Sequence, residues 1–90
     1  MSENRVTKEQ IDAIMDDCTL YVTHIPDTTT TIAVVFDKDG FSLAIGHSAC
    51  VDPANFDAEL GAEYACKDAT AKAREKLWEL EGYLLAKSAK

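Results

Sequence analysis

Apolar residues near the start of the chain follow the spacing of an amphipathic helix. They recur at three- and four-residue steps from Ile11 to Met15, so that they share one face. Thr7 and Gln10 precede them at the spacing of a capping box, the side-chain arrangement that begins many helices. The pattern predicts a short helix over residues 8–17, whose narrow apolar face must pack on another element.

The pattern then changes to the alternation that is typical of strands. Residues 19–25 alternate imperfectly and end at a proline, and residues 30–36 are rich in β-branched side chains. A turn with Gly40, which can adopt a positive φ, comes before the alternating apolar positions of residues 41–47. We therefore expect a β-hairpin of these last two segments, with residues 19–25 as a third antiparallel strand.

Apolar and small residues of the second half return to helical spacing. Asp52 and Pro53 suit an N-cap and a first helical position, so a long helix is expected to begin there. Gly82 is expected to end or kink it. The apolar positions of this helix are Phe56, Leu60, Tyr64, Ala69, Ala73, Leu77, Leu80 and Leu84. The predicted fold class is α+β, with a short N-terminal helix, a three-stranded antiparallel sheet and a long C-terminal helix.

The length of the chain, 90 residues, predicts a single domain, 1–90. Within it, residues 1–6 and 87–90 are expected to be disordered. A three-stranded sheet under one long helix leaves its two edges and one face open, which is a liability in a monomer. We therefore expect a homo-oligomer, a dimer or higher.

The charge balance argues against binding to a nucleic-acid backbone. The chain has 16 acidic and 9 basic residues, a formal net charge of −7, whereas such binding depends on an excess of Lys and Arg. No apolar stretch reaches the roughly 18 residues of a membrane span, and the N-terminus lacks the apolar core of a signal peptide. We expect no membrane partner.

The cysteines do not form a recognisable framework. The chain has an odd number of cysteines at wide spacing, which is typical of a reduced cytoplasmic protein. They are Cys18, Cys50 and Cys66. His24 and His47 do not pair with them at the spacing of a zinc site. We therefore expect neither a metal nor another cofactor.

The segment between the hairpin and the long helix is the main candidate site. It contains His47, Ser48, Asn55 and Asp57 and ends at a predicted helix N-terminus, where backbone N–H groups attract anions. Two interpretations stay open. Helix capping and a core position for Phe56 explain these residues structurally, and a ligand site explains them functionally.

A hydrolase site in the same segment is a weaker hypothesis. The side chains that suggest it are His47, Ser48, Cys50 and Asp52. No nucleophile-elbow pattern is present, and on an extended strand Ser48 and Cys50 would share a face that His47 does not. We predict that the protein is not an enzyme.

Basic residues of the long helix are the candidate phosphate contacts. Lys67 and Arg74 are seven residues apart, and Lys72 and Lys76 are four apart, so that each pair shares a helix face. Ordinary surface ion pairs explain them structurally. Contact with phosphates across an oligomer interface is the functional alternative.

The sequence resembles a family of small tailed-phage proteins, the gp-forty-nine/gene-sixty-six family. The most specific part is the block Asn-Phe-Asp-x-Glu-x-Gly at residues 55–61, with the run from Ser48 before it and residues 69–85 after it. The resemblance covers roughly residues 8–86, with Asp68 where an Asn of the family is expected. It implies a phage or prophage origin, expression in the host bacterial cytoplasm and no known enzymatic activity.

The size and layout also resemble the phage anti-Thoeris sponges, small oligomers that sequester a cyclic ADP-ribose-type immune signal. This likeness implies a counter-defence protein, directed at systems such as Thoeris or CBASS, that binds a cyclic nucleotide-type molecule without cleaving it. A base would stack on Phe56 or Tyr64, and the pocket would lie between subunits. The expected ligand contacts are His47, Ser48, Asn55, Phe56, Asp57, Lys67 and Arg74.

A protein-interaction module is the alternative function. Residues 1–51 hold 8 acidic and 3 basic residues. An acidic surface of this kind could bind and inhibit a host protein, with electrostatic steering of the encounter. The acidic residues on and near the first helix are Glu9, Asp12, Asp16 and Asp17.

Overall fold

A computed structural model describes residues 5–88 of the chain. The elements are α1 (Lys8–Asp16), β1 (Thr19–His24), β2 (Thr30–Phe36), β3 (Ser42–Ala49), a 3-10 turn (Pro53–Asn55) and α2 (Ala58–Ser88). The predicted α+β class, with its short helix, three strands and long helix, is confirmed. The homo-oligomer stays a prediction. Of the residues expected to be disordered, 1–4 and 89–90 lie outside the described part, whereas α2 includes residues 87–88.

The three strands form one antiparallel sheet in the order β1-β2-β3. The register is fixed by the pairs Thr19–Phe36, His24–Thr31, Thr30–Ala49 and Phe36–Ser42, with a bulge between Val35 and Phe36. The hairpin turn depends on Gly40, whose φ is 86°. It also depends on Asp37, whose Oδ1 accepts the N–H groups of Asp39 at 2.8 Å and Phe41 at 2.9 Å. A short side-chain acceptor and a left-handed glycine are what this turn needs.

The core lies between the sheet and α2. Alternate residues of β2, namely Thr31, Ala33 and Val35, are buried on the side that faces the helix. The helix contributes residues at four-residue steps, which return to the same face. These are Ala65, Ala69, Ala73 and Leu77. Small side chains along this face let the helix lie close to the strands.

α1 packs on α2 and not in the sheet. Ile11 is fully buried in the shared core. Thr7 Oγ1 accepts the Gln10 N–H at 3.2 Å, as a capping box requires. The Gln10 side chain, however, donates to Glu81 Oε1 at 2.9 Å. The residue predicted to close the cap therefore connects the two helices.

The start of α2 corrects the sequence prediction. Asp52 does act as an N-cap, since its Oδ1 accepts the Ala54 N–H at 3.0 Å, but it caps only the 3-10 turn. Phe56 is extended, with φ −66° and ψ 130°, and interrupts the helical path. α2 begins at Ala58, five residues later than Pro53. Asp57 provides the second cap, and the sequence has two competing N-cap signals that spacing alone does not separate.

The end of α2 is also longer than predicted. The helix neither stops nor breaks at Gly82 but continues to Ser88. A glycine inside a helix costs about 1 kcal/mol relative to alanine. Packing of α1 against the preceding turn, through the Gln10–Glu81 hydrogen bond, helps to hold the helix through this position.

Candidate functional site

A cleft of about 190 Å³ lies at one end of the sheet, where it is enclosed by the loops and by the first turns of α2. It brings together the β1–β2 turn, the end of β3 and the 3-10 turn. The residues that line it are Thr29, Ser48, Ala49, Cys50, Asn55, Phe56, Asp57, Leu60, Gly61 and Tyr64. Four of the predicted contacts (Ser48, Asn55, Phe56 and Asp57) therefore share one cavity.

Phe56 forms a wall of this cleft and stacks on His24 of β1. The ring centroids are 4.9 Å apart and the ring planes differ by 28°. His24 Nε2 donates to the carbonyl oxygen of Thr28, which fixes the ring and its tautomer. Phe56 also lines a second, wider cavity of about 520 Å³, together with His24 and Asp27. An extended loop residue thus presents an aromatic ring to both cavities.

Two hydroxyl groups lie beside Gly61: that of Ser48, which lines the cleft, and that of Thr31, which is buried and does not line it. Ser48 Oγ donates to the carbonyl oxygen of Gly61 at 2.7 Å. Thr31 is 2% exposed, and its hydroxyl has no hydrogen-bond partner within residues 5–88. A Cβ on Gly61 would stand 2.9 Å from Thr31 Oγ1 and 3.6 Å from Ser48 Oγ. The absence of a side chain on Gly61 therefore leaves room beside both hydroxyls.

The backbone N–H groups of Asn55 and Phe56, near which we expected an anion, already donate to the carbonyl oxygens of Asp52 at 2.9 Å and Pro53 at 3.2 Å. Asp57 Oδ1 accepts the N–H groups of Glu59 at 2.9 Å and Leu60 at 3.2 Å. The Asn55 side chain donates to Asp52 Oδ2 at 3.1 Å. These carboxylates place negative charge at the helix start, where it interacts favourably with the helix dipole. The mouth of the cleft is consequently acidic.

Lys67 and Arg74 lie away from this cleft, along a separate shallow cavity on α2. Lys67 Nζ is 3.5 Å from Glu63, and Arg74 Nη2 is 2.7 Å from Asp12. Hydrogen bonds from Lys8 and then from Arg74 hold the pKa of the Asp12 carboxyl below its usual range. Within one chain Lys67 thus pairs with an acid of its own helix, as the structural interpretation expects, whereas Arg74 pairs with an acid of α1.

His47 lies on the side of the sheet opposite α2, because it pairs with Ile32 while its neighbours Gly46 and Ser48 face the helix. Its backbone N–H donates to Asp68 Oδ2 at 3.0 Å. Lys72 Nζ binds the same carboxyl oxygen at 3.0 Å. The hydrogen bond from Lys72, followed by that from the His47 N–H, lowers the pKa of Asp68. Asp68 thereby accepts a hydrogen bond from a backbone N–H group at the edge of β3. The side-chain oxygen of an asparagine would accept the same hydrogen bond.

The nucleophile-type side chains of the segment have backbone partners. Ser48 donates to Gly61, and Cys50 Sγ donates to the carbonyl oxygen of Asp52 at 3.1 Å. In the part of the chain that the structure describes, no hydrogen bond joins either group to a histidine. Across residues 5–88, no three His, Cys, Asp or Glu side chains are grouped as metal ligands.

Sequence reasoning missed Thr29, which lines the cleft, and also His24 and Thr31, which lie beside its lining residues Phe56 and Gly61. His24 and Thr31 pair across β1 and β2, and Thr31 pairs with Ser48 across the hairpin. His24, Thr31 and Ser48 therefore form one row on the helix side of the sheet. Only the strand register brings them together, and register cannot be read from composition. The threonine run at residues 28–31 was the available signal.

Fold and site define a small α+β protein in which a long helix crosses a three-stranded sheet, with a cleft at the loop end. The sequence matches the model of the Phage protein (N4 Gp49/phage Sf6 gene 66) family over residues 6–89, and the chain belongs to that family. The resemblance found in the sequence is thus confirmed. Searches of curated proteins and of solved structures found no match. Within the described residues, no helix has the length and apolar character to cross a membrane.

Proposed function

We propose that this phage protein binds and sequesters a cyclic nucleotide or cyclic ADP-ribose-type immune signal in the host bacterial cytoplasm, without cleaving it. The observation that carries the proposal is the cleft in which Phe56 and Tyr64 share one cavity with polar Thr29, Ser48 and Asn55. Aromatic faces with a few polar groups are the usual lining of sites for planar ligands.

The cleft favours the base of such a ligand over its phosphates. Phe56 is already held in place by its stack on His24, so a base can stack without ordering a mobile ring. The Thr31 hydroxyl, buried beside Gly61 of the cleft, has no hydrogen-bond partner among residues 5–88. Asp57 and Asp52 at the cleft mouth would repel an anion. The base therefore enters and the phosphates stay outside.

Size supports a site completed by a second subunit. The cleft, at about 190 Å³, is smaller than the roughly 300–1,000 Å³ of typical small-molecule sites. It accommodates a base and not a whole cyclic dinucleotide. Lys67 and Arg74 of another copy are then the available phosphate contacts, at the cost of their ion pairs with Glu63 and Asp12.

Sequestration without cleavage fits the hydrogen bonding around the cleft. Ser48 and Cys50 both donate to backbone carbonyl oxygens, so neither is paired with a general base. A protein that only lowers the free concentration of a signal needs tight binding and no reacting group.

Ligand depletion tests this proposal directly. The purified protein, in excess, is mixed with a panel of cyclic nucleotides and cyclic ADP-ribose isomers, filtered, and then heat-denatured. We expect one compound to be depleted and then recovered intact. Phe56→Ala should abolish depletion, whereas Phe41→Ala, which removes an exposed phenylalanine from the hairpin turn, should not. Recovery of a cleaved product would contradict sequestration, and no depletion of any compound would overturn the nucleotide proposal.

A second candidate function, inhibition of a host protein by the acidic surface, is favoured by one arrangement. Asp17 at the end of α1 lines the same shallow cavity as Asp37 and Asp39 of the hairpin turn. Lys38 lines this cavity as well, but the three acids outnumber it. Two separate segments thus form one negative surface, which would attract a basic partner and bind it in a salt-sensitive manner.

A charge-matched pair of triple variants tests this alternative. The first neutralises the acidic surface as Asp16→Asn, Asp17→Asn and Asp39→Asn, and leaves Asp37 to hold the turn. The second neutralises three exposed acids of α2 as Glu59→Gln, Glu75→Gln and Glu79→Gln. A host protein captured by the wild type should be lost with the first variant and with added salt, and retained by the second. Equal capture by both variants would contradict the acidic-surface hypothesis.

A further inference from the structure

The side of the sheet opposite α2, called here the open face, is uncovered within residues 5–88. It consists of the odd-numbered positions of β1, the even-numbered positions of β2 and residues 45, 47 and 49 of β3. None of these ten positions is Asp, Glu, Lys or Arg, although such residues make up 28% of the chain. A solvated antiparallel face is normally polar and would carry about three of them. Its polar members are Thr19, Thr23, Thr30 and His47, and the other six are apolar or aromatic, so the open face is uncharged and mostly apolar.

The centre of the open face is an apolar row across all three strands. Tyr21 pairs with Val34, and Val34 pairs with Ile45. Tyr21 and Ile45 are each 58% exposed, while Val34 between them is half-buried by its neighbours. An aromatic and an aliphatic side chain thus stand at opposite ends of one row, with a smaller one between them.

We propose that a second copy of this chain covers the open face, in a two-fold dimer with the sheets packed face to face. This contact lies on the side of the sheet opposite α2, so it is separate from any contact that brings Lys67 and Arg74 of another copy to the cleft. A two-fold axis along β2 places Tyr21 of one copy over Ile45 of the partner subunit, and Val34 over its own equivalent. Rotation about this axis reverses the order of the row, so that each Tyr21 meets an Ile45, as an isologous interface requires. Sheets packed in this way stack about 10 Å apart through interdigitated side chains.

Charge favours a second copy over a different protein. The chain carries a net charge of −7, so two copies repel each other unless they meet through neutral surfaces. The strands contain no Asp, Glu, Lys or Arg, and the acids lie on the helices and turns. A basic partner would be drawn to those acids and would find no counter-charge on the open face.

The size of the open face predicts a reversible dimer. Strand spacing and rise give it a width of roughly 14 Å and a length of roughly 23 Å. This is less than the ~800 Å² that each partner contributes to a standard stable interface. We therefore expect the dimer to dissociate on dilution.

The exposed end of α2 is the competing apolar surface and provides matched controls. Tyr83 and Leu84 are 63% and 59% exposed, close to the values of Tyr21 and Ile45. Charged neighbours flank them, and Lys87 Nζ lies 5.9 Å from the Tyr83 ring. A charge introduced there meets solvent, whereas a charge on the open face would be buried unpaired in the dimer.

Sedimentation equilibrium over a concentration series tests the proposal on the full chain without any ligand. The wild type should approach twice the monomer mass of 9.8 kDa at high concentration. Ile45→Lys should weaken association by at least about tenfold, and Leu84→Lys should leave it unchanged. A monomeric wild type at every concentration, or dissociation by Leu84→Lys and not by Ile45→Lys, overturns the proposal. Circular dichroism verifies that each variant is folded.

Complementation tests the two-fold arrangement itself. Tyr21→Glu alone should be as monomeric as Ile45→Lys alone, with Tyr83→Glu as the dimeric control. In a 1:1 mixture of Tyr21→Glu and Ile45→Lys, the new carboxylate meets the new ammonium group across the interface while the other contact keeps its native residues. We expect the mixture to recover the dimer mass. Folded single variants that stay monomeric when mixed would overturn this arrangement.

Discussion

Gly46 of β3 lies directly against Ala69 of α2. A Cβ on Gly46 would stand only 2.2 Å from the backbone nitrogen of Ala69 and 2.8 Å from the carbonyl oxygen of Ala65. Backbone approaches backbone here, so no side chain can rotate to make room. This contact fixes the distance of the helix from the sheet and thereby the position of the cleft at the start of α2.

The first prediction follows from this contact and concerns two glycine-to-alanine changes. Gly46→Ala should lower the free energy of unfolding by about 3 kcal/mol, because the new methyl group must displace the helix backbone. Gly82→Ala should raise it by about 0.5–1 kcal/mol, since this glycine is inside α2 with no neighbouring atom within 4 Å. Urea denaturation measures both. Equal effects of the two changes would contradict the close approach at Gly46.

The second prediction concerns the two hydroxyls beside Gly61. Thr31→Val removes a buried hydroxyl without a partner in the described residues, and should be neutral or stabilise the fold by about 1 kcal/mol. Ser48→Ala removes the 2.7 Å hydrogen bond to the Gly61 carbonyl oxygen and should cost about 1 kcal/mol. Thermal unfolding of both variants measures the difference. A clear loss of stability in Thr31→Val would show that its hydroxyl has an internal role.

Most of the fold could be predicted because its signals are local. The capping pattern at Thr7, the β-branched run before Phe36 and the Gly40 turn each act within a few residues. The predicted strand 41–47 was shifted, since β3 runs from Ser42 to Ala49. The bulge between Val35 and Phe36 changes the pairing at that end, and a bulge leaves no clear mark in the hydrophobic pattern.

The candidate site was less predictable because it depends on contacts between distant segments. Phe56 and Asn55 could be found from their block, but the partners His24 and Thr31 come from other strands through the register. The seven-residue spacing of Lys67 and Arg74 correctly predicted that they share one face of α2. The Lys67–Glu63 ion pair is a local pair within α2, whereas the Arg74–Asp12 pair depends on where α1 meets α2, which a linear sequence does not state.

The third prediction separates the two helix caps. Asp57→Ala should destabilise the fold by about 1 kcal/mol, because two N–H groups at the start of α2 lose their acceptor. Asp52→Ala removes the acceptor of a single turn and should cost less. Asp57→Asn keeps a side-chain oxygen and should retain most of the stability. Denaturant midpoints rank the three variants, and a larger effect at Asp52 would contradict the second cap.

The fourth prediction is the loss of stability in acid. The pKa values of Asp12 and Asp68 are lowered in the folded chain, by Lys8 and Arg74 in the first case and by Lys72 and the His47 N–H in the second. A lowered pKa means that the unfolded chain binds the proton more readily. The stabilisation is therefore complete above the ordinary value of about 4 and is lost as pH falls through the lowered values.

Melting temperatures measured across this acidic range test that sign. Asp12→Asn and Asp68→Asn should each lower the melting temperature near neutral pH and make it less dependent on pH in acid. The loss should be smaller for Asp68→Asn, since the new amide oxygen still accepts the His47 N–H, whereas Asp12 also joins α1 to α2 through Arg74. Asp16→Asn, a change at an exposed carboxyl of the same helix as Asp12, is the control. An equally steep acid transition in all three variants would contradict the role of these two carboxylates.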